Sequence, residues 1–349
     1  MRQIIATGVC LVLLAGCMPL RTESAVQMQG KMEARVRSEV QPLVDVGPLC
    51  EVAVPPVAAA CPAPAKVAVL DVDGVLTNYN NVGPFSLGEN PVATFKEKLD
   101  ACAADPTVRA VVLRLNTPGG GVAATDLMWH ELVRFRQTTG KPVVACLLDL
   151  GTGGGYFLAT GCDQIVAIPS SVVGGFGVVM NMYDANDALG QFGWADRSIR
   201  SGDKIDMGSL IRKLKPEERT LLTDMARGYH ERFKQVVTQA RPRMDAKSDL
   251  FDGRVMTSQQ ALQAGLIDAV GYLDEAIALA CRLGKTETAQ TVMYRRQGDS
   301  ARTLYASTPN RPVHTTAMPA SLPGLDRTKL PLFLYMWLPD PTMLRLTGL

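Results

Sequence analysis

The sequence predicts an α/β protein in which helices cover both faces of a mostly parallel sheet. Short apolar runs alternate with stretches of helical periodicity from Lys66 to about Gly284. Strands that are apolar throughout are typical of parallel sheets buried on both faces. Two glycine-rich turns, TPGGG (117–121) and GTGGG (151–155), follow such runs, and ligands of these sheets bind beyond the carboxyl ends of the strands.

The predicted elements alternate along the chain. Uninterrupted apolar runs indicate buried strands, and amphipathic runs indicate helices with one face on the sheet. In chain order they are a strand at 67–72, a helix at 91–104, a strand at 109–115, a helix at 124–137, a strand at 142–149, a helix from Tyr156, a short strand at 164–168, a glycine-broken strand at 172–180 and a long charged helix at 216–241.

The chain begins with a segment typical of a bacterial lipoprotein signal. Arg2 precedes an apolar run that is too short to span a bilayer comfortably, and the run ends in LAGC (14–17), which resembles a lipobox. We therefore expect residues 1–17 to be a lipoprotein signal peptide and Cys17 to be the lipid attachment site. An uncleaved signal anchor is the alternative. The expected location is the bacterial cell envelope, lipid-anchored and facing the periplasm, and Met18 favours the outer membrane.

Three segments follow the signal. Residues 18–64 are polar and then rich in proline and alanine, which predicts a tether or linker. Residues 65–285 are predicted to form the α/β domain, and residues 286–349 a C-terminal extension. The extension includes the apolar run PLFLYMWL (331–338), which is too short to span a bilayer. A core strand, a protomer contact and a membrane-surface contact all fit this run.

Composition and cysteine spacing exclude several functions. A net charge of +2 gives no whole-chain case for nucleic-acid binding. No cysteine pair has zinc-site spacing, so we expect neither a metal nor another cofactor. Export permits disulfides, and Cys50 and Cys61 are the candidate pair. Four other cysteines in apolar surroundings are expected to be buried thiols: Cys102, Cys146, Cys162 and Cys281.

One motif near the start of the α/β domain suggests a phosphatase. Residues 67–78, VAVLDVDGVLTN, are similar to the first motif of haloacid-dehalogenase phosphatases, in which Asp71 would attack phosphorus and Asp73 would shuttle the proton. The later acidic pair that would hold magnesium is not evident. A core strand that turns at Asp73-Gly74 is the simpler interpretation.

Four blocks of the sequence occur in an order typical of one protein family. They are VRAVVLRLNTPGGG, KPVVACLLDLGTGGGYFLATGCDQIVAIPSSVVGGFGVV, SGDKIDMGS and FDGRVMTSQQALQAGLIDAVGYLDEAIALA. Any one block would be weak evidence, but with all four in order residues 67–283 resemble the signal peptide peptidase A (protease IV) family.

The resemblance implies a Clp-protease/crotonase-like fold with a single family repeat. It also implies a serine peptidase with a Ser/Lys dyad. Half-length members of the family, which this chain matches, form rings, and the serine and lysine that meet come from neighbouring protomers. Gly119, Gly120 and Gly154 correspond to backbone that stabilises the oxyanion. Residues 172–179 correspond to the strand that lines the peptide groove.

Both dyad positions are substituted. Where the family has Ala-Ser-Gly-Gly-Tyr, this chain has Thr152-Gly153-Gly154-Gly155-Tyr156, so Gly153 occupies the nucleophile position. In SGDKIDMGS, the flanking residues place Ile205 at the lysine position, where an isoleucine suits an apolar pocket. Lys204 lies one residue earlier, and in an extended backbone that shift points a side chain to the opposite face.

We therefore predict a catalytically inactive pseudopeptidase that binds or scaffolds extended apolar peptides. Its expected partners are further copies of itself or an active paralogue, and the membrane through Cys17. The alternative is an active endopeptidase that degrades signal peptides or membrane polypeptides with a rearranged Thr152/Lys204 dyad. The phosphatase is a third possibility.

Overall fold

The structure is a computed structural model that describes residues 21–27, 33–39, 48–54, 65–80, 89–244, 249–296, 303–306 and 333–337. The chain divides into two compact units, Met1–Asp45 and Val46–Leu349. In the first unit, β1 (Arg21–Gln27) and β2 (Glu33–Glu39) form an antiparallel pair.

The second unit contains a ten-stranded sheet. Its strands are β3 (Leu49–Ala53), β4 (Lys66–Leu76), β5 (Val108–Gly121), β6 (Val143–Thr152), β7 (Gln164–Ala167), β8 (Val172–Gly174), β9 (Val255–Thr257), β10 (Ala269–Val270), β11 (Gln290–Arg296) and β12 (Leu334–Met336). The main path runs β10-β7-β6-β5-β4-β11-β3, and it is parallel up to β11. The pairs β3–β11, β8–β9 and β12–β5 are antiparallel.

Helices cover both faces of this sheet. They are α1 (Pro91–Ala104), α2 (Val122–Thr139), α3 (Gly154–Ala159), α4 (Asn186–Gln191), α5 (Pro216–Ala240), α6 (Ser258–Gln263) and α7 (Leu273–Leu283). Side chains of α1, α2, α3 and α5 pack on one face with Leu70 and Leu113, and α7 packs on the other with Val69 and Val112. Alternate residues of β4 and β5 thus enter two cores, and the predicted α/β class is confirmed.

The helix α1 begins and ends where the sequence predicts. The side chain of Asn90 accepts a hydrogen bond from the Val92 N–H at 3.0 Å, and Pro91 occupies the first turn, where its missing N–H costs nothing. The helix ends before Asp105, whose backbone is extended. None of the helices in the described ranges combines the length and the apolar content needed to cross a membrane.

The sheet departs from the sequence prediction in two respects. TPGGG is extended and forms the end of β5, where its glycines pair with β4 on one side and with β12 on the other. The sheet also draws strands from outside 65–285: β3 lies in the predicted tether, and β11 and β12 lie in the predicted extension. The glycine-broken strand predicted at 172–180 is β8, which stops where Gly174 and Gly175 take positive φ values of 121° and 68°.

Candidate functional site

A sharp bend at Gly153 joins β6 to α3. Gly153 has φ 52° and ψ −122°, a backbone conformation that residues other than glycine rarely adopt. Its N–H donates to the Gly174 carbonyl at 2.9 Å, and its carbonyl accepts from the Phe157 N–H at 3.0 Å. A strand–turn–helix bend of this kind presents the nucleophile in α/β hydrolases. In this chain the bend carries no side chain.

Two further glycines complete a backbone surface that we call the glycine cradle, formed by Gly119, Gly153 and Gly154. A Cβ atom on Gly119 would lie 2.6 Å from the Gly154 nitrogen, so these backbones are in close contact. The N–H of Gly119 donates to Oγ1 of Thr117 at 3.0 Å. Gly120 instead packs against β4, since a Cβ atom there would lie 2.1 Å from a β4 carbonyl oxygen. Glycine is therefore required at Gly119, where the backbone contacts Gly154, and at Gly120, where it contacts β4.

The strand β12 covers the glycine cradle. Leu334–Met336 pairs with Gly119–Gly121 of β5. A Cβ atom on Gly119 or on Gly153 would lie 1.9 or 2.5 Å from the Tyr335 carbonyl oxygen, which is closer than van der Waals contact. Of the interpretations of PLFLYMWL, the structure shows the core strand. The space beside the bend is thus filled by the chain's own backbone.

Aromatic side chains from α3, from α5 and from the residues after β8 pack next to the bend. The ring centroids of Phe157 and Phe233 lie 5.2 Å apart, and those of Tyr156 and Phe176 lie 4.8 Å apart. The Tyr156 hydroxyl donates to the Leu266 carbonyl at 2.6 Å, and burial raises its pKa well above the ordinary value. Tyr156 is therefore a neutral donor that holds α3 in place.

The segment predicted to carry the lysine position is exposed. Residues 203–208, which we call the turn segment, form turns rather than an extended strand, and Ile205 is 70% exposed. The apolar pocket expected around Ile205 is therefore absent from the described part of this single chain. Arg212 anchors the segment to α5, since its guanidinium donates to Asp206 at 2.7 Å and to Glu218 at 2.7 Å. These hydrogen bonds lower the pKa of each carboxyl to about 2.

The structure does not bring the alternative dyad together. Thr152 is fully buried, and its Oγ1 has no hydrogen-bond partner among the described residues. Lys204 is exposed on the turn segment. A threonine nucleophile needs a base within hydrogen-bond distance, and Lys204 of the same chain does not supply one.

The two aspartates of the phosphatase-like motif belong to a buried ion network. Oδ1 of Asp71 accepts from Nζ of Lys98 at 2.9 Å, and Asp73 accepts from Arg114 at 2.8 Å. Burial raises the pKa of Asp73, and the Arg114 charge opposes this effect. Arg114 also donates to the Leu304 carbonyl at 2.6 Å. The network thus ties β4, α1 and β5 to the C-terminal part of the chain.

Among the predicted cysteine roles, the Cys50–Cys61 disulfide stays a prediction. Cys50 lies in β3 as a half-buried free thiol, and Cys61, like Cys17, lies outside the described residues. Cys102, Cys146 and Cys162 are buried thiols as predicted, and burial raises the pKa of each to about 12. Cys281 is half-buried.

Sequence reasoning missed the coverage of the site by β12. The signal was present as an apolar run in an otherwise polar tail. No local pattern, however, shows which strand such a run will pair with. Only the pairing with Gly119–Gly121 shows that this strand belongs to the site.

The sequence of the chain is similar to those of known proteases. A model of peptidase family S49 matches residues 135–287. The chain is 28% identical over 232 residues to a putative signal peptide peptidase SppA of Enterococcus faecium, which covers 66% of this chain and 67% of that protein. It is 30% identical over 220 residues to Protease 4 of Salmonella typhi, covering 63% of this chain and 35% of that protein. The matched region thus spans about a third of Protease 4.

A solved structure of a membrane-bound stomatin-specific protease, 1510-N, in complex with a substrate peptide is similar at a TM-score of 0.39 and 18% identity, over 62% of this chain and 80% of that chain. The sequence matches show that the chain contains a peptidase family S49 domain and is homologous to signal peptide peptidase A and protease 4.

Proposed function

We propose that this chain is a non-catalytic member of the family that binds extended apolar peptides beside the glycine cradle. The observation that carries the proposal is glycine at the bend. Covalent peptidase catalysis requires a side chain that attacks the peptide carbonyl, and Gly153 has none. The chain still has the backbone of the bend and of β5 that the family resemblance assigns to the site. Main-chain hydrogen bonds along a strand can bind a peptide without a catalytic side chain.

The surroundings of the bend support this proposal. A serine peptidase of this kind also needs a base close to its nucleophile. Ile205 occupies the aligned base position, and the neighbouring Lys204 is exposed on a turn. The adjacent hydroxyl, Oγ1 of Thr152, is buried without a hydrogen-bond partner among the described residues.

Peptide hydrolysis by the purified chain tests the proposal. The wild type, Thr152→Val and Lys204→Ala would be incubated with casein and with fluorogenic apolar peptides, and a commercial serine protease would show that each substrate can be cleaved. We expect no product from any of the three proteins. Hydrolysis by the wild type that is lost in Thr152→Val would overturn the proposal and establish the rearranged dyad. Thr152→Val is suitable because it keeps the buried volume.

We further propose that Cys17 is lipidated and anchors the chain to a membrane of the bacterial envelope, facing the periplasm. The support is the lipobox-like LAGC after an apolar run. Fractionation of bacteria that express the wild type or Cys17→Ser tests this. We expect the wild type in the membrane fraction and the variant outside it. A membrane-bound Cys17→Ser variant would favour an uncleaved signal anchor.

A further inference from the structure

The chain's own residues Phe333–Trp337, which we call the resident segment, are hydrogen-bonded along both edges. On the β5 side, the Val122 N–H donates to the first carbonyl of the segment at 3.2 Å, and the last N–H donates to the Pro118 carbonyl at 3.1 Å. On the other side, Leu334 and Val179 exchange two N–H···O=C bonds of 2.9 Å each. This is how a sheet takes up an extended peptide. The segment therefore occupies a groove between β5 and Val179.

The peptide bond between Tyr335 and Met336 lies at the position of the lost nucleophile. A Cβ atom on Gly153 would lie 2.5 Å from the Tyr335 carbonyl oxygen and 2.8 Å from its carbonyl carbon. Both distances are shorter than van der Waals contact, so a side chain at this position would overlap the resident segment. Glycine at the bend leaves room for the Tyr335 carbonyl.

The side chain of Tyr335 fills a pocket that suits a tyrosine. It is fully buried, its ring lies 5.4 Å from Phe157 in a stacked arrangement, and it lies 4.8 Å from Phe233. Its hydroxyl donates to the Tyr229 carbonyl at 2.8 Å. A ring-sized apolar pocket that ends in a hydrogen-bond acceptor favours tyrosine over an aliphatic residue and over phenylalanine.

The residues on either side of Tyr335 are apolar and buried. Leu334 and Met336 are 3% and 5% exposed, and they form a small cluster with Val75 and the half-buried Val179. Successive side chains of an extended segment point to opposite sides. The groove thus accepts a tyrosine on one side and apolar residues on the other.

We propose that this groove is a binding site for an extended peptide with a tyrosine between two apolar residues. The resident segment is its occupant within the chain, and an incoming peptide of the same pattern must displace it. The proposal rests on the peptide-binding function proposed above and adds to it the residue preference and the competitor.

Fluorescence anisotropy of a labelled peptide tests the proposal. The peptide carries the sequence of residues 331–338, PLFLYMWL, with lysines added at both ends for solubility. It would be titrated with the full chain as wild type, as Tyr335→Ala, and as Tyr305→Ala. Tyr305 lies in the same tail and its side chain is 64% exposed, so its loss leaves the groove intact. A second peptide has alanine in place of the tyrosine.

We expect Tyr335→Ala to bind the tyrosine peptide about tenfold more tightly than the wild type, because the resident segment has lost its anchor. Tyr305→Ala should match the wild type, and the alanine peptide should bind Tyr335→Ala at least about tenfold more weakly than the tyrosine peptide. Equal binding of the two peptides, or no gain in Tyr335→Ala, would overturn the proposal.

Hydrogen exchange in the wild type keeps the test decisive if Tyr335→Ala does not fold. An excess of the tyrosine peptide should speed exchange in the resident segment and leave the strands β4 and β6 unchanged. Unchanged exchange in the resident segment would also overturn the proposal.

Mass spectrometry of the peptide after incubation separates this proposal from the proposed non-catalytic function. A cleaved peptide contradicts the non-catalytic function, whereas an intact peptide that does not bind contradicts only the site.

Discussion

Gly153 shows how much a single residue decides in this protein. Its backbone makes the sharp bend between β6 and α3, and because it has no side chain the bend admits the Tyr335 carbonyl. Any other residue at this position would have to hold a positive φ and displace the carbonyl oxygen. Glycine at this position thus accounts both for the expected lack of peptide hydrolysis and for the close contact between β12 and the bend.

The substitution Gly153→Ala tests this account. We expect it to lower the free energy of unfolding by about 1–3 kcal/mol, since it forces a side chain into a disfavoured backbone region and towards the Tyr335 carbonyl. Urea denaturation gives the value. The control is Gly228→Ala in α5, where nothing lies within 4 Å of the added methyl group. It should raise stability by about 0.5–1 kcal/mol. Equal effects in the two variants would contradict the account.

At the residue scale, the sequence located the bend but not its surroundings. The order Gly-Gly-Tyr after a buried strand placed Gly153 at the strand–helix junction, because that junction depends on local chain geometry. The exposure of Ile205 was not predictable in the same way. An apolar residue on a turn indicates a pocket only if another part of the chain covers it, and nothing within the described residues does so.

At the scale of elements, α1 is tied to the sheet by a buried ion pair as well as by its apolar face. Lys98 and Asp71 are 2% and 3% exposed at their side chains, and Arg114 lies 3.9 Å from the same carboxylate. Buried ions of this kind are costly to separate, because the charge that remains is poorly solvated. The pair therefore makes the position of α1 on β4 specific.

The substitution Lys98→Met should lower the free energy of unfolding by about 3–5 kcal/mol, the range for removing one partner of a buried pair. Lys96→Met is the control on the same helix, because its pair with Asp100 is partly exposed. Such surface pairs within a helix contribute about 0.3–0.5 kcal/mol. Urea denaturation of both variants measures the difference. A loss of less than about 1 kcal/mol in Lys98→Met would show that the pair is not important for stability.

The contact between the turn segment and α5 should depend on pH. The hydrogen bond from Arg212 lowers the pKa of Glu218 from 4.5 to about 2. A carboxyl with a lowered pKa stabilises the fold fully above about pH 4.5, and this contribution is lost as the pH falls towards 2. The melting temperature of Glu218→Gln should therefore fall less steeply than that of the wild type over this range.

The control for this measurement is Glu217→Gln, in the same turn of α5, because Glu217 is exposed. Its melting temperature should follow the wild-type pH dependence. If Glu218→Gln does so as well, the Arg212–Glu218 contact is not the source of the effect.

The elements of the central domain were largely predictable, and those at its edges were not. The helix at Pro91–Ala104 follows from an amphipathic run between Asn90 and Asp105, which is local information. The strand β3 lies in a segment whose proline and alanine content suggested a linker. It becomes a strand because β11 offers an open edge. Such pairing depends on distant residues and leaves little trace in composition.

At the scale of the whole molecule, the two positions that the sequence aligns with the family's Ser/Lys dyad lie in different environments. Gly153 is buried beneath β12, whereas Ile205 is 70% exposed on the turn segment. An exposed base position is consistent with a site completed by a second copy of the chain. The oligomer expected from the sequence, either of this chain alone or mixed with an active paralogue, would place the turn segment of one protomer next to the bend of another.

Mixing two single variants tests this arrangement. Gly153→Ser and Ile205→Lys should each fail to hydrolyse casein alone, and an equimolar mixture should regain hydrolysis because the two substitutions meet between protomers. A mixture of Gly153→Ala with Ile205→Lys should stay inactive, because it restores no nucleophile. If only a chain that carries both Gly153→Ser and Ile205→Lys cleaves, the two positions meet within one chain, and the expected arrangement is wrong.

The long separation in sequence between the paired strands has a kinetic consequence. Val52 pairs with Met293, and Gly120 pairs with Tyr335, so both pairings close loops of more than about 200 residues. Closing loops of this length is slow compared with forming helices. Folding should therefore be limited by the search for these two pairings. Until β12 docks, a newly made chain displays an empty groove to every extended polypeptide around it.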